Sequence, residues 1–359
     1  MPDICRNNHY VPQFYLNAWT INKKIWEYRL LVSNERVPLW TNRSVEHVAS
    51  GENMYVRMIS GEEYDDFEID FNCRFETPAS EPFRKLCKRD KLKASDWSAI
   101  ARMAACQYVR TPAYFQSIKP TMDKLHKSFA EEMPSFIERY AKGERSAPHE
   151  EVDRTLFPMS LQLTGKRIDD THQEAYFTLI SGKSIWLFAI QHALTDGSSI
   201  LDIFQNRKWS IVSFRNHLPT TDNPICFVDA IAEMPIDDIG TKMSKKGKLI
   251  VYPISPELAI ISKTEGKRLP PAFIASFIFA EYIKRAVVKN AFMYVYSKEI
   301  DNDIPSYRPR VVNLKQYKQV DEAIGGWYSK YQSEEAPLLK HDGSHLSPPD
   351  EETQISEIT

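Results

Sequence analysis

Apolar residues recur at spacings of three and four through Val11, Phe14, Tyr15, Ala18 and Trp19, a spacing that predicts a short amphipathic helix. Pro12 suits its first turn, where a missing N–H costs nothing. Asn8 or His9 would then lie at the helix mouth, near unpaired backbone donors. The period changes to two at Ile25, Glu27 and Arg29, which alternate with Trp26, Tyr28 and Leu30 as a strand would. Asn34-Glu35 turns this into a second strand over 37–40. The stretch 44–70 is mixed and acidic, and reads as loop with short strand.

Helical spacing returns over 76–88. Ser95 and Asp96 then give a capping signal for the longest helical pattern, whose apolar face is Trp97, Ile100, Ala101, Ala104, Ala105 and Tyr108. Thr111-Pro112 breaks it, because proline removes a backbone donor and biases the preceding residue away from helix. Helical character resumes over 114–133 and 134–140. The polar stretch 142–148 reads as an internal linker, and 152–194 as a second helical half, with Ile185, Phe188, Ala189 and His192 on one face. Strands are expected over 209–214, 225–228, 249–252 and 258–262. An apolar helix over 271–288 leads into the aromatic run Phe292, Tyr294 and Tyr296.

From about Ser333 the composition shifts to Gly, Ser, Pro and acidic residues, which cannot bury enough surface to offset their ordering entropy. The expected organisation is therefore one helix-rich α+β globular unit over 1–332, with a modest antiparallel sheet and a disordered acidic tail over 333–359.

Composition narrows the function classes. A content of 42% hydrophobic and 12% aromatic residues supports a substantial core, and 26% charged residues fits a soluble protein. The formal charge of -2 and a pI near 6.5 give no strong nucleic-acid signature. Lys242, Lys245, Lys246 and Lys248 form the densest basic cluster and read as a solvated loop. Cys5, Cys73, Cys87, Cys106 and Cys226 lack the close pairing of a zinc knuckle, so free thiols in a reducing cytosol are expected. No secretory h-region opens the sequence and no apolar run spans a bilayer, so the expectation is cytoplasmic with no membrane partner.

Candidate chemistry concentrates in two strings. In Asn8-His9-Tyr10-Val11-Pro12-Gln13-Phe14-Tyr15-Leu16, His9 and Gln13 would share a helical face if the helix reached back that far. His9 could then be a metal ligand or general base with Gln13 orienting a water, or simply a helix cap. In Thr221-Asp222-Asn223-Pro224, the side chains suit a local turn or place Asp222 at a strand end. There it could bind a hard metal or orient an imidazole. Gln107, Arg110 and Tyr114 share a helix face, and Arg110 could fork onto phosphate or brace Glu76 or Glu81. His192 precedes the turn Thr195-Asp196-Gly197 and reads as structural. The familiar NTPase, hydrolase-elbow and zincin strings are missing.

With Gly51–Tyr55, the helix containing Glu81, and the segments 107–112, 209–224, 251–256 and 291–296, these strings resemble a bacterial family known by its HYVP motif, domain-of-unknown-function family 4238. The resemblance spans roughly 300 positions, with Thr221 where that family usually has serine. It implies a bacterial or phage-related origin and one shared site for His9, Gln13, Arg110 and Asp222. It implies no reaction.

Two function classes follow. One is a cytosolic phosphodiester or phosphate-ester hydrolase, such as a nuclease of a defence or toxin system. In it His9 and Asp222 activate water or bind a divalent metal, Arg110 neutralises phosphate, and Tyr10, Gln13, Gln107 and Asn223 contact substrate. The other is a non-catalytic module sensing a small ligand or peptide, with an aromatic pocket of Tyr10, Phe14 and Tyr15. A structural role for both strings is a third reading. Either of the first two leaves room for a partner protein.

Overall fold

The computed structural model describes residues 4–59, 62–141, 160–167, 173–180, 183–215, 217–229, 248–263, 277–324 and 352–358. In chain order the first elements are β1 (Asn7–His9), α1 (Gln13–Leu16), β2 (Lys24–Arg29), β3 (Leu31–Val32), β4 (Trp40–Ser44) and β5 (Ser50–Glu52). A small hairpin, β6 (Arg57–Ile59) and β7 (Glu62–Tyr64), follows. Next comes α2 (Asp66–Phe71), which widens into a π turn over Asn72–Glu76 and continues as α3 (Thr77–Lys88). Arg89, at φ 60, ends α3 in the left-handed conformation that stops a helix.

Helix α4 (Ala94–Val109) begins where Asp96 accepts the Lys93 backbone N–H at 2.8 Å, and it stops before the Thr111-Pro112 break. Beyond it run α5 (Pro112–Ala141), β8 (Ser160–Arg167), β9 (Gln173–Ile180), α6 (Lys183–Ala193) and α7 (Ser199–Gln205). The remaining strands are β10 (Trp209–Ser213), β11 (Thr220–Thr221), β12 (Cys226–Asp229), β13 (Lys248–Ser255) and β14 (Leu258–Lys263). Helix α8 (Phe277–Asn290) then leads to β15 (Tyr294–Ser297). Val311–Val312 add a short parallel pair to β3.

Two four-stranded sheets organise the core, in the orders β10-β14-β13-β12 and β11-β15-β2-β4, each antiparallel throughout. In the first, strict alternation divides the side chains between two faces. Ile250, Tyr252, Ile254, Leu258 and Ile260 join the main core, which also takes in α1, α3 and α4. Leu249, Val251, Ala259 and Ile261 face the other way, against Phe279, Ile283 and Val287 of α8. Those three residues are four apart, so they line one stripe of that helix. Burying each such side chain contributes about 1.5–3 kcal/mol before entropy is counted. The chain is an α+β unit, as the mixed periods imply. No helix among the described residues is long and apolar enough to cross a membrane.

Several local expectations are corrected. His9 lies on β1 rather than on the first helix, which starts at Gln13, so His9 and Gln13 are not helical neighbours. Pro12 is the residue just before that helix. The strand expected over 37–40 is displaced to Trp40–Ser44. The helical half expected over 152–194 holds the hairpin of β8 and β9, and of its described residues only those of α6 are helical. Leu161 and Leu163 alternate with Gln162 and Thr164 there, a period of two that the helical reading overlooked. The linker at 142–148, the basic cluster through Lys246 and residues 333–351 of the expected tail lie outside the described residues. Glu352–Ile358 pair with β8 as a strand.

Candidate functional site

Helix α4 clasps the backbone of the Asn8–Leu16 segment. Gln107 and Arg110 are three apart and project from one face. The Gln107 side-chain amide donates to the Tyr10 carbonyl at 2.8 Å, and the Arg110 guanidinium donates to the His9 carbonyl. Arg110 is fully buried and also pairs with Glu76 at 2.5 Å. It stacks over the rings of Phe71 at 5.0 Å and Tyr55 at 5.8 Å. Burial works against its charge, but Glu76 and its other neighbours more than offset that, and the pKa is raised. Tyr55 closes the clasp: its hydroxyl donates to the Arg110 carbonyl at 2.9 Å, and its N–H donates to Asn8 Oδ1 at 3.1 Å. Of the two roles open to Arg110, the brace to Glu76 is the one formed. Glu81 instead pairs with Arg84 on the surface.

His9 is buried beneath this clasp. Its imidazole pKa is lowered, first by burial and then by the charge of Arg110, while the backbone of Val45 and Glu46 and the Glu76 carboxylate pull the other way. Its Nε2 has no hydrogen-bond partner among the described residues. Nearby, Asn8 Nδ2 reaches Glu68 at 3.4 Å, and burial raises the Glu68 carboxyl.

Asp222 serves a different purpose. Its oxygens accept the backbone N–H groups of Phe292 at 2.7 Å, Met293 at 2.6 Å and Tyr294 at 3.1 Å, at the entry to β15. Burial pushes its carboxyl up to about 7, with those three donors and Arg308 pulling it down. Asn223 donates to the Asn290 carbonyl at 3.0 Å. His9 and Asp222 are joined by no hydrogen bond or ion pair among the described residues. Asp222 instead acts electrostatically on Tyr10, whose hydroxyl is raised well above its ordinary value by burial first and by that carboxylate second.

The aromatic trio is packed rather than open. Tyr15 stacks on Tyr252 at 5.3 Å and bonds Thr220 through its hydroxyl at 2.7 Å. Phe14 meets Phe83 edge-on at 5.6 Å, and Tyr10 is buried in the same core. Gln13 is half-buried on α1. No group of three or more His, Cys, Asp or Glu among the described residues could hold a metal ion. All five cysteines are free.

An open cleft lies elsewhere. It encloses about 350 Å³ between the first turns of α4 and the chain entering β10, and is lined by Trp97, Ser98, Gln205, Arg207, Lys208 and Trp209 among others. Arg207 is half-buried, and its Nε and Nη1 are withdrawn from solvent with no acceptor among the described residues. Burial lowers its pKa, with no opposing carboxylate. The Trp209 indole N–H likewise has no partner among the described residues. Sequence reading passed over these residues because Trp97 fits the apolar face of α4 and Trp209 a core strand. Arg207 and Trp209 being two apart, just before a strand, was the available signal.

The sequence model of a family described as a protein of unknown function matches residues 7–301. No curated protein and no solved structure matches the chain. The segments that carry the HYVP resemblance do meet in space. Asn8 pairs with Gly51, Tyr15 packs on Phe83 and Tyr252, Trp19 donates to the Leu218 carbonyl at 2.7 Å, and Gln107 and Arg110 hold the motif's backbone.

Proposed function

The chain belongs to the DUF4238 family, and on that premise we propose that it is a non-catalytic small-ligand-binding module whose ligand occupies the cleft between α4 and β10. The observation that carries this reading is the cleft itself, about 350 Å³ lined by the cations Arg207 and Lys208 beside Trp97 and Trp209. A binding site is a concave region with a few convergent polar groups on an apolar lining, and Trp97 and Trp209 supply that lining.

The hydrolase alternative asks Arg110 and Asp222 to face a substrate. Both side chains already hold backbone within the fold, and withdrawing either would break the contacts that fix the HYVP segment or β15. Free cysteines support a reducing, cytoplasmic setting for the module.

A thermal-shift screen of small molecules against the wild type and Ser98→Trp tests the proposal, since the added ring would fill the cleft mouth at an exposed position. Compounds that stabilise the wild type and lose their effect in Ser98→Trp support it. Metal-dependent cleavage of DNA, RNA or a phosphodiester, abolished in a folded His9→Ala variant, would overturn it in favour of the hydrolase.

A further inference from the structure

We propose that α5 is a self-association arm, whose outer part pairs with the same helix of a second copy of this chain, antiparallel about a two-fold axis at Phe129. The arm shares no residue with the cleft between α4 and β10.

The root of α5 is packed into the main core through Tyr114, Phe115 and the half-buried Ile118. The helix runs on to Ala141, and from Lys119 onward every described side chain is exposed, Lys124, Lys127, Ser128, Glu131 and Glu132 among them. The positions between them include Met122, Leu125, Phe129, Met133 and Phe136. Spacings of three and four place these five on one stripe of the helix. Pro120 and Pro134 lie inside the same helix, where each removes a backbone hydrogen bond. Propensity alone does not hold such a helix, and packing along its apolar stripe does.

The stripe itself points to a second copy. From Met122 to Phe136 its spacings run three, four, four, three, the same in either direction from Phe129. An antiparallel copy therefore meets it as an isologous surface, with Phe129 at the axis, Leu125 at the level of Met133 and Met122 at the level of Phe136. Charge selects the same direction. The half before Phe129 carries Lys119, Lys124 and Lys127 against Asp123. The half after it carries Glu131, Glu132 and Glu138 against Arg139. Antiparallel pairing sets the basic half beside the acidic half and opposes the two helix dipoles, whereas parallel pairing sets like beside like. The seam from Met122 to Phe136 is about 21 Å long, a small contact that fits a reversible association.

The test is sedimentation velocity of the full chain at about 1 to 100 µM. Expected is a dimer that forms as concentration rises. Phe129→Glu brings two carboxylates together at the axis and should leave a monomer throughout, with the far-UV circular dichroism of the wild type. Direction is read by mixing Leu125→Cys with Met133→Cys under mild oxidation and identifying linked peptides by mass spectrometry. A disulfide joining positions 125 and 133 should exceed those joining like positions. A wild type that stays monomeric at the highest concentration would overturn the inference, and leave the stripe to be covered by the chain's own residues. So would a dimer that survives Phe129→Glu, or linkage chiefly between like positions. If Phe129→Glu fails to fold, the two cysteine variants decide, and absence of the 125–133 link overturns the pairing.

Discussion

Asn223 and Asn290 cap each other: each side-chain amide donates to the other's backbone carbonyl, at 3.0 Å from Asn223 and 2.7 Å from Asn290. The exchange ties the turn after β11 to the last residue of α8. Asn290 also donates to the Ile225 carbonyl at 3.0 Å, so one side chain holds two peptide groups.

Asn290→Ala therefore leaves two carbonyls without donors and should destabilise by about 1–3 kcal/mol. Asn223→Ala removes a single donation and should cost less. Urea midpoints of the two variants decide the order, and an Asn223→Ala loss larger than that of Asn290→Ala would contradict this account.

Arg110 carries a larger share. Removing one member of a buried pair leaves the other charge uncompensated, so Arg110→Met should cost roughly 3–5 kcal/mol. Arg110→Lys should recover little, since an ammonium cannot stack between Phe71 and Tyr55 while reaching both Glu76 and the His9 carbonyl. A lysine variant within about 1 kcal/mol of wild type in urea titration would show that charge alone suffices.

The bracket that Asp96 and Pro112 place around α4 is readable without coordinates because both act on adjacent backbone. The strands of the β10-β14-β13-β12 sheet are equally legible, since alternation and breaker residues are local. The pair of Arg110 with Glu76 was within reach of the sequence, but the backbone that Arg110 and Asp222 hold is not. Their partners lie 101 and 70 to 72 positions away, and no spacing rule reaches that far. The same distance hid the cleft, whose walls come from α4 and from the end of α7 onward. Trp97 and Trp209 each have an ordinary explanation in their own segment, and only the fold places them together.

Asp222 gives stability a pH dependence of definite sign. Its carboxyl ordinarily titrates near 3.8 and is raised to about 7 in the fold. A group raised on folding contributes stability that is full below the unfolded value and is lost as pH rises through the folded one. Stability from this residue should thus decline between about pH 4 and 7. Asp222→Asn, though less stable overall, should lack that decline in urea midpoints taken across the range.

His9 acts in the opposite sense. Its pKa is lowered by burial from the ordinary 6.5, so its contribution is present above that value and lost as pH falls through the folded one. His9→Gln should flatten this acid-side loss. Proton NMR of the His9 ring in the folded protein should show a midpoint below 6.5, and a midpoint above it would reverse the assignment.

The contacts that secure the HYVP segment also order events in time. Trp19 waits for Leu218, 199 positions later, and Tyr15 waits for Thr220, 205 positions later. Synthesis runs at about 5–20 residues per second. For some ten seconds or more, then, the indole of Trp19 and the hydroxyl of Tyr15 exist without these late partners. Shelter comes in stages, first from the pairing with β5 at Gly51, then from Phe83 of α3, then from the clasp of Gln107 and Arg110.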